Sequence, residues 1–523
     1  MKKILTVLLL VILTATSCKK FLDTKPTDFV SQVNYYKTEQ DLNQALAGVY
    51  DRLGDMRVYA RGMLCFMVFS DEFFMKGGTS GINANIMDAS TLEVNRQWEA
   101  LYTGVERANM LLDNIGNATG SVSEDKINEV RGQALFLRAY YYFLLVDQYG
   151  AVPLKLASTK TPEEAPLPRA PIAKVYEQIV KDIKDAIPML KKITDYGFNG
   201  KVSKTAAQGI LARVYLTMAG APLNDVSKYA DAKAYADSVM QSGEHSLNAD
   251  FKQIFINHAR EVYDIREGLW EVEFGGSNTG TIREGGSNGS YNGIACTNID
   301  TGYGYDLVHA TQKLFDAYQA TDLRRDWTIA PYRFVASGST VVRTPWSSTQ
   351  IYDRSNGKWR REYETFLPRG KDFNGTNWPL LRYSDILLMY AEADNYVSNG
   401  PSAAAYEALN KVRRRGYGKP IATADAIADA PPGLSQADFL EFIKNERLRE
   451  FAFEGIRKHD LLRWGTYVSV MQAQSTEYNA NIPATYKTAA VGQAGRVTQR
   501  AVVFPIPNSE IATNPNVTQN PGW

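Results

Sequence analysis

INEVRGQALFLRAYYYFLLVDQYG, residues 127–150, is the stretch whose reading decides the fold. It runs without a breaker to Gly150, with Pro153 just beyond, which is how a helix stops. Small residues (Ala134, Ala139) alternate with bulky ones (Phe136, Tyr140). A later stretch, KTAAQGILARVYLTMAG (204–220), repeats the device with Ala206, Ala207 and Ala212 against Tyr215. Small positions let neighbouring helices approach closely and bulky ones fill the space left, so both stretches predict stacked helix pairs.

The same pattern extends outward in both directions. Thr38 with Asp41 predicts a capping-box start for TEQDLNQALAGVYDRLG, where Leu42, Ala45, Leu46, Val49 and Leu53 share one face. Ser90 with Glu93 predicts the start of a helix carrying Trp98, Leu101, Tyr102, Val105 and Ala108. PIAKVYEQIVKDIKDAIPMLKK opens with Pro171, favourable in a first turn, and DAKAYADSVMQSG follows residue 220. Helical pattern returns in LLRYSDILLMYAEADNYVSNG and PSAAAYEALNKVRRRGYG, and again in SQADFLEFIKNERLREFAFEGIRKHDLLRWG, capped by Ser435 with Asp438. The array resembles degenerate tetratricopeptide repeats whose period of about 34 residues is interrupted by loops of varied length.

Residues 260–370 differ in character. Gly and Ser cluster in EFGGSNTGTIREGGSNGSYNGIACTNIDTGYGYD, and the short extended runs GLWEVEF and TVVRTPW predict small strands within long loops. The tail, VVFPIPNSEIATNPNVTQNPGW, reads as an extended strap. The fold class expected is therefore mainly α, with tetratricopeptide-like helix pairs plus a loop-rich, mixed insertion holding a few short strands. The expected division is a helical repeat lobe over 37–260 and a C-terminal lobe over 261–523. The second lobe contains the insertion 261–370 and helices within 380–465.

The chain opens with Lys2 and Lys3, then an apolar run from Ile4 to Leu13 broken only by Thr6. At about ten residues the run falls short of the roughly 20 needed to cross a bilayer as a helix, and 1–17 reads as a signal peptide. Ala15-Thr16-Ser17-Cys18 suits ordinary cleavage before Cys18. It equally suits cleavage after a diacylglycerol is attached to the Cys18 thiol, and the junction alone leaves both open.

Lys and Arg number 58 against 57 Asp and Glu, which offers nothing to recruit nucleic acid or an anionic lipid surface. Three cysteines are few for a disulfide scaffold. Cys65, within MLCFMVF, reads as a buried thiol, and its pairing with Cys296 stays open. The histidines are scattered, and there is no HExxH, CxxC or nucleophile elbow, so no metal or cofactor is expected. Asp71-Glu72 in FSDEFF is the pair to weigh for glycoside hydrolysis, although a structural acid is the better reading. Glu392 and Asp394 are likewise expected to be paired structurally, and Trp98 and Trp464 to lie in the core.

Binding is better supported, because 30 tyrosines supply flat, amphipathic faces on which sugars stack. Two loop regions combine aromatic or glycine-rich backbone with planar polar groups. One holds Asp71, Asn83 and Asn85; the other holds Tyr291, Asn292, Tyr303, Tyr305, Arg343, Trp346 and Trp359. These are the candidate ligand contacts.

Four segments, in order, carry a resemblance to a known family. ERLREFAFEGIRKHDLLRWG (446–465) and LLRYSDILLMYAEA (380–393) are similar to the signature motifs of the SusD/RagB family of Bacteroidetes outer-membrane lipoproteins. CKKFLDTKPTDFVS (18–31) resembles that family's mature start, and FPIPNSEIATNPNVTQNPGW (504–523) its ending. The resemblance implies a lipid on Cys18, a lead segment over 18–36 and an outer-membrane location facing the exterior. The lipid anchor would be the chain's one link to the membrane. It implies capture of a glycan, or of a peptide as in the RagB branch, for a SusC-like TonB-dependent transporter, with no bond broken. A helical glycoside hydrolase is the rival from another class. A bare repeat scaffold is a third, and the aromatic-rich insertion argues against it. Glu446, Arg449, Glu450, Arg457 and Asp460 are expected to satisfy one another in a structural charge network.

Overall fold

The computed structural model describes residues 35–61, 70–78, 81–276 and 284–523. The signal peptide, the lead segment up to residue 34 with Cys18, and Cys65 therefore lie outside the described residues.

The first helix, α1 (Glu39–Tyr50), begins with the expected capping box, Thr38 and Asp41 exchanging side-chain bonds to each other's N–H. Helix α2 (Leu92–Asn114) starts one residue later than Ser90 predicts, with Thr91 at the N-cap, because the Ser90 hydroxyl donates to Asp88 instead (2.6 Å). Helix α3 (Glu124–Tyr149) is capped by Ser123 and stops at Gly150, which takes a φ of 72°. Then come α4 (Ile172–Ala186), α5 (Lys204–Ala219), α6 (Lys228–Gln241) and α7 (Phe251–Arg260). Helix α4 is shorter than its sequence pattern, giving way to a tight turn over Ile187–Met189 that holds Pro188.

Sequential helices pack as pairs: α2 on α3, α3 on α4, α5 on α6. The small-against-bulky device is visible at Gly104 of α2, where a Cβ would fall 2.5 Å from the Tyr141 ring of α3.

Among the described residues the strands form four two-stranded antiparallel sheets. They pair β1 (Phe73–Met75) with β5 (Val308–Ala310), β2 (Val152–Pro153) with β3 (Arg169–Ala170), β4 (Gly268–Val272) with β8 (Trp378–Arg382), and β6 (Tyr332–Ser337) with β7 (Thr340–Pro345). LLRYSDILLMYAEA is thus not helical throughout. Its first three residues belong to β8, buried along its whole length against β4, and α8 (Tyr383–Val397) begins only after Arg382.

The C-terminal part continues with α9 (Ala403–Gly416), α10 (Gln436–Phe451), α11 (Arg457–Arg463), α12 (Tyr467–Asn481), α13 (Ala484–Gly495) and α14 (Asn508–Thr513). The tail departs from a plain extended strap, since α14 interrupts it. Its remainder does strap the body: Asn520 Nδ2 donates to the carbonyls of Tyr149 and Phe504 (2.8 and 2.7 Å). Helix α6 packs on α8 as well as on α5, and one hydrophobic cluster runs from Tyr36 to Val517, joining the two halves of the chain. Among the described residues no helix is long and apolar enough to cross a membrane.

The charge network of 446–465 exists, but it recruits distant partners. Within the stretch Arg449 pairs with Glu446 and Asp460 with Arg447 and Arg463, whereas Arg457 pairs with Asp71 and Glu450 with three arginines from outside it. Glu392 is held by Arg463 and Asp394 by Lys233, so both are structural. Trp98 is buried, and Trp464 is half-buried with its indole N–H on Glu392 (2.9 Å).

Candidate functional site

The three candidate tyrosines come together on one loop surface. Tyr303 and Tyr305 lie in the run TGYGYD, and Gly302 makes their approach possible. Its φ is 115°, and a Cβ there would fall 2.4 Å from that of Arg361. Tyr305 N–H donates to the Ser290 carbonyl and Leu307 N–H to that of Tyr291, which lays 303–307 beside the short helical turn Asn288–Asn292. The rings of Tyr291 and Tyr305 are 5.0 Å apart, and those of Tyr303 and Tyr305 4.9 Å. All three side chains are partly exposed.

A buried guanidinium fixes the other wall. Arg361 donates to the carbonyls of Tyr303, Gly370 and Lys371 (2.8, 2.8 and 3.2 Å) while paired with Glu364 (2.7 Å). This stitches the tyrosine loop to residues 370–372. The Tyr305 hydroxyl consequently donates to Asp372 (2.6 Å), a bond that pushes the phenol up to about 12. Lys371 Nζ lies 4.8 Å over the Tyr303 ring and 5.5 Å over that of Tyr305, and the Arg61 guanidinium lies 4.2 Å over Tyr291. Arg61, Arg361, Lys371 and Asp372 are absent from the sequence-based candidates. Arg61, Lys371 and Asp372 sit in irregular backbone and Arg361 opens a single short helical turn, so none has a periodic signal and only the fold brings them to the tyrosines.

Arg343 and Trp346 belong to the adjoining β6–β7 hairpin. Arg343 is exposed, pairs with Glu362 (2.8 Å) and lies over Tyr332. Trp346 is half-buried under Arg333, at 4.6 Å. The hairpin reaches the tyrosine loop through Asn298, whose Nδ2 donates to the Ser339 carbonyl.

Four candidates are corrected by burial, which leaves no face for a ligand. Trp359 is 1% exposed and stacked on Trp378. Asn292 is fully buried, and Asn85 is turned against the Gln493 carbonyl of α13. Asp71 is fully buried between Arg457 (2.7 Å) and Lys313 (2.6 Å). Asn83 is partly exposed on a separate loop whose backbone crowds Gly78. Cys296 is buried, with Sγ 3.5 Å from the Asn298 carbonyl.

Asp71-Glu72 does not form a hydrolytic pair. Burial pushes the Asp71 carboxyl up, but Arg457 and Lys313 hold it well below the usual carboxylate range. Glu72 is 1% exposed, and burial, aided by the Asp71 charge, pushes it up to about 8. The sign of the stability effect follows. The folded state keeps a proton on Glu72 that the unfolded chain releases near 4.5, so stability falls as pH rises from 4.5 through 8. Urea unfolding of Glu72→Gln should show that fall reduced; an unchanged pH profile would refute the assignment.

Two cavities lie away from the tyrosine surface. One of about 70 Å³ is bounded by Tyr140, Arg213, Trp378 and His459, and one of about 190 Å³ by Ile172, Tyr176, Pro222 and Tyr467. Both are below the roughly 300 Å³ of a typical ligand pocket. An open depression of about 470 Å³ beside Arg500 carries a single aromatic ring, Trp523. Tyr291, Tyr303 and Tyr305 line none of these three spaces.

Comparison with known proteins is consistent along the chain. A family model described as "SusD family" matches residues 332–523, and one described as "Starch-binding associating with outer membrane" matches residues 20–216. A SusD-like protein of Formosa agariphila, P2, is 26% identical, the match covering 100% of both chains. A solved SusD homologue from Bacteroides thetaiotaomicron is 29% identical with a TM-score of 0.86, covering 94% of this chain and 98% of that one. A solved "laminarin binding SusD-like protein" shares the fold at 24% identity with a TM-score of 0.73, covering 93% of this chain and 100% of that one.

Proposed function

We propose, from the premise that the chain belongs to the SusD/RagB family, that it captures an oligosaccharide or polysaccharide and passes it to a partner SusC-like, TonB-dependent outer-membrane transporter. The observation that carries the glycan reading is the grouping of three partly exposed tyrosines on one loop surface, with the Tyr305 ring about 5 Å from those of Tyr291 and Tyr303. Sugar rings present CH faces that stack on phenols, while Asp372 and the Tyr305 hydroxyl are placed to read hydroxyl groups. A shallow, preformed platform binds each unit weakly and gains affinity from several units together. The solved relative whose own name declares laminarin binding supports a glycan over a peptide.

The location proposed is the outer membrane, facing the exterior, with a lipid on Cys18 as the tether. Support comes from the family, whose members are outer-membrane lipoproteins, and from the small-small-Cys junction. Capture needs no cofactor and breaks no bond.

Affinity electrophoresis against a polysaccharide panel tests this reading. Retardation without new reducing ends is expected, and Tyr303→Ala with Tyr305→Ala should weaken it about tenfold or more. Binding of peptides but of no polysaccharide would sink the glycan reading, and release of reducing ends would make the protein a hydrolase.

A further inference from the structure

We infer that the tyrosine platform takes a glycan carrying anionic substituents, carboxylates or sulfate esters, in preference to a neutral one. This rests on the platform being a glycan site and names the class of sugar it accepts. Three cations lie over its exposed aromatic rings: Arg61 over Tyr291, Lys371 over Tyr303 and Tyr305, and Arg333 over Trp346 of the adjoining hairpin. None of the three has a carboxylate within 4.0 Å among the described residues, whereas Arg343 of the same hairpin is paired with Glu362 and Lys76 with Asp306. The carboxylate at the tyrosine cluster, Asp372, is engaged by the Tyr305 hydroxyl.

The platform thus carries three cations that have an aromatic ring and no carboxylate beside them among the described residues. The consequence for a ligand is direct. A guanidinium 4.2 Å over Tyr291 and an ammonium 4.8 Å over Tyr303 occupy ring faces that a neutral sugar would need. An acidic sugar draws those cations onto its own charged groups and frees the rings for its CH face. Cation and ring then act on the same residue of the polymer.

The test uses matched pairs on the full chain: polygalacturonate against its methyl-esterified form, and dextran sulfate against dextran. At least one charged member should be retained about tenfold more tightly than its neutral counterpart, and the pair that responds tells carboxylate from sulfate. The preference should fade between ~0.05 M and ~0.5 M salt. It should be lost in Arg61→Gln with Lys371→Gln and kept in Lys371→Arg beside wild-type Arg61. Equal or tighter binding of the neutral members overturns the inference while leaving glycan capture standing. So does a preference that survives the double substitution, or equally strong retention of single-stranded DNA. Failure to bind any polysaccharide, charged or neutral, overturns both readings.

Discussion

Glu450→Ala is expected to destabilise the protein by about 3–5 kcal/mol, the cost of leaving buried charges without their partner. The Glu450 carboxylate is fully buried and meets Arg415 at 2.6 Å, Arg382 at 2.8 Å and Arg324 at 3.0 Å. Around it, six cations (Arg324, Lys358, Arg382, Arg413, Arg415, Arg449) face five carboxylates (Glu267, Asp322, Glu446, Glu450, Glu454). Removing one acid takes the balance from six against five to six against four inside a region closed to water. Burial pushes the Glu450 carboxyl up, and the guanidiniums of Arg415, Arg382 and Arg324 hold it well below the usual range. Its contribution is therefore present above the ordinary carboxylate pKa and lost as pH falls through the depressed value. Urea unfolding at neutral pH checks the magnitude. The exposed pair Lys174–Glu177 serves as the control, since breaking it should change stability by less than about 1 kcal/mol. A Glu450→Ala loss no larger than the control's would show that the cluster is hydrated and not a buried ionic core.

The helices were legible because their signals are local. Thr38–Asp41, Ser435–Asp438 and Gly150 mark ends through bonds within a single turn, and those ends stand where the sequence puts them. Errors arose where a tertiary partner decided the outcome. Leu380–Arg382 carries the apolar density of a helix, yet it pairs with β4, where Trp270 stands opposite Leu381 and Gly268 opposite Arg382. Helices α12 and α13 went unread, their residues Ser-, Thr-, Ala- and Gly-rich with little one-sided pattern, and α14 was hidden in a Pro- and Asn-rich tail. At the site, residue type was readable and burial was not. Tyr303 and Tyr305 sit among glycines that expose them, whereas Trp359, equally surrounded by polar residues, turns inward. Asn292, one position after exposed Tyr291, illustrates the limit: a helical turn sends neighbours to different sides, and no pattern in SNGSYNG says which.

That limit makes Trp359 the residue at which burial and ligand contact give opposite forecasts. If its indole were a sugar platform, Trp359→Ala would spare stability and lose binding. In the structure the indole stacks on Trp378 at 4.8 Å, meets Phe255 edge-on and donates to the Phe453 carbonyl at 3.2 Å. Phe453 is itself buried and holds a φ of 64°, in the left-handed region that disfavours a side chain, at the turn between α10 and α11. Alanine at 359 would leave a large cavity and withdraw the donor from that turn, so a loss of about 3–5 kcal/mol is expected. Trp346→Ala, on the exposed hairpin, should cost less than about 1 kcal/mol while weakening retention of an acidic polysaccharide, since its ring is half open and carries Arg333. Unfolding and affinity electrophoresis on both variants separate the two roles. A stable Trp359→Ala that no longer retains polysaccharide would move the binding surface inward from the tyrosines and undo the division between core and platform drawn here.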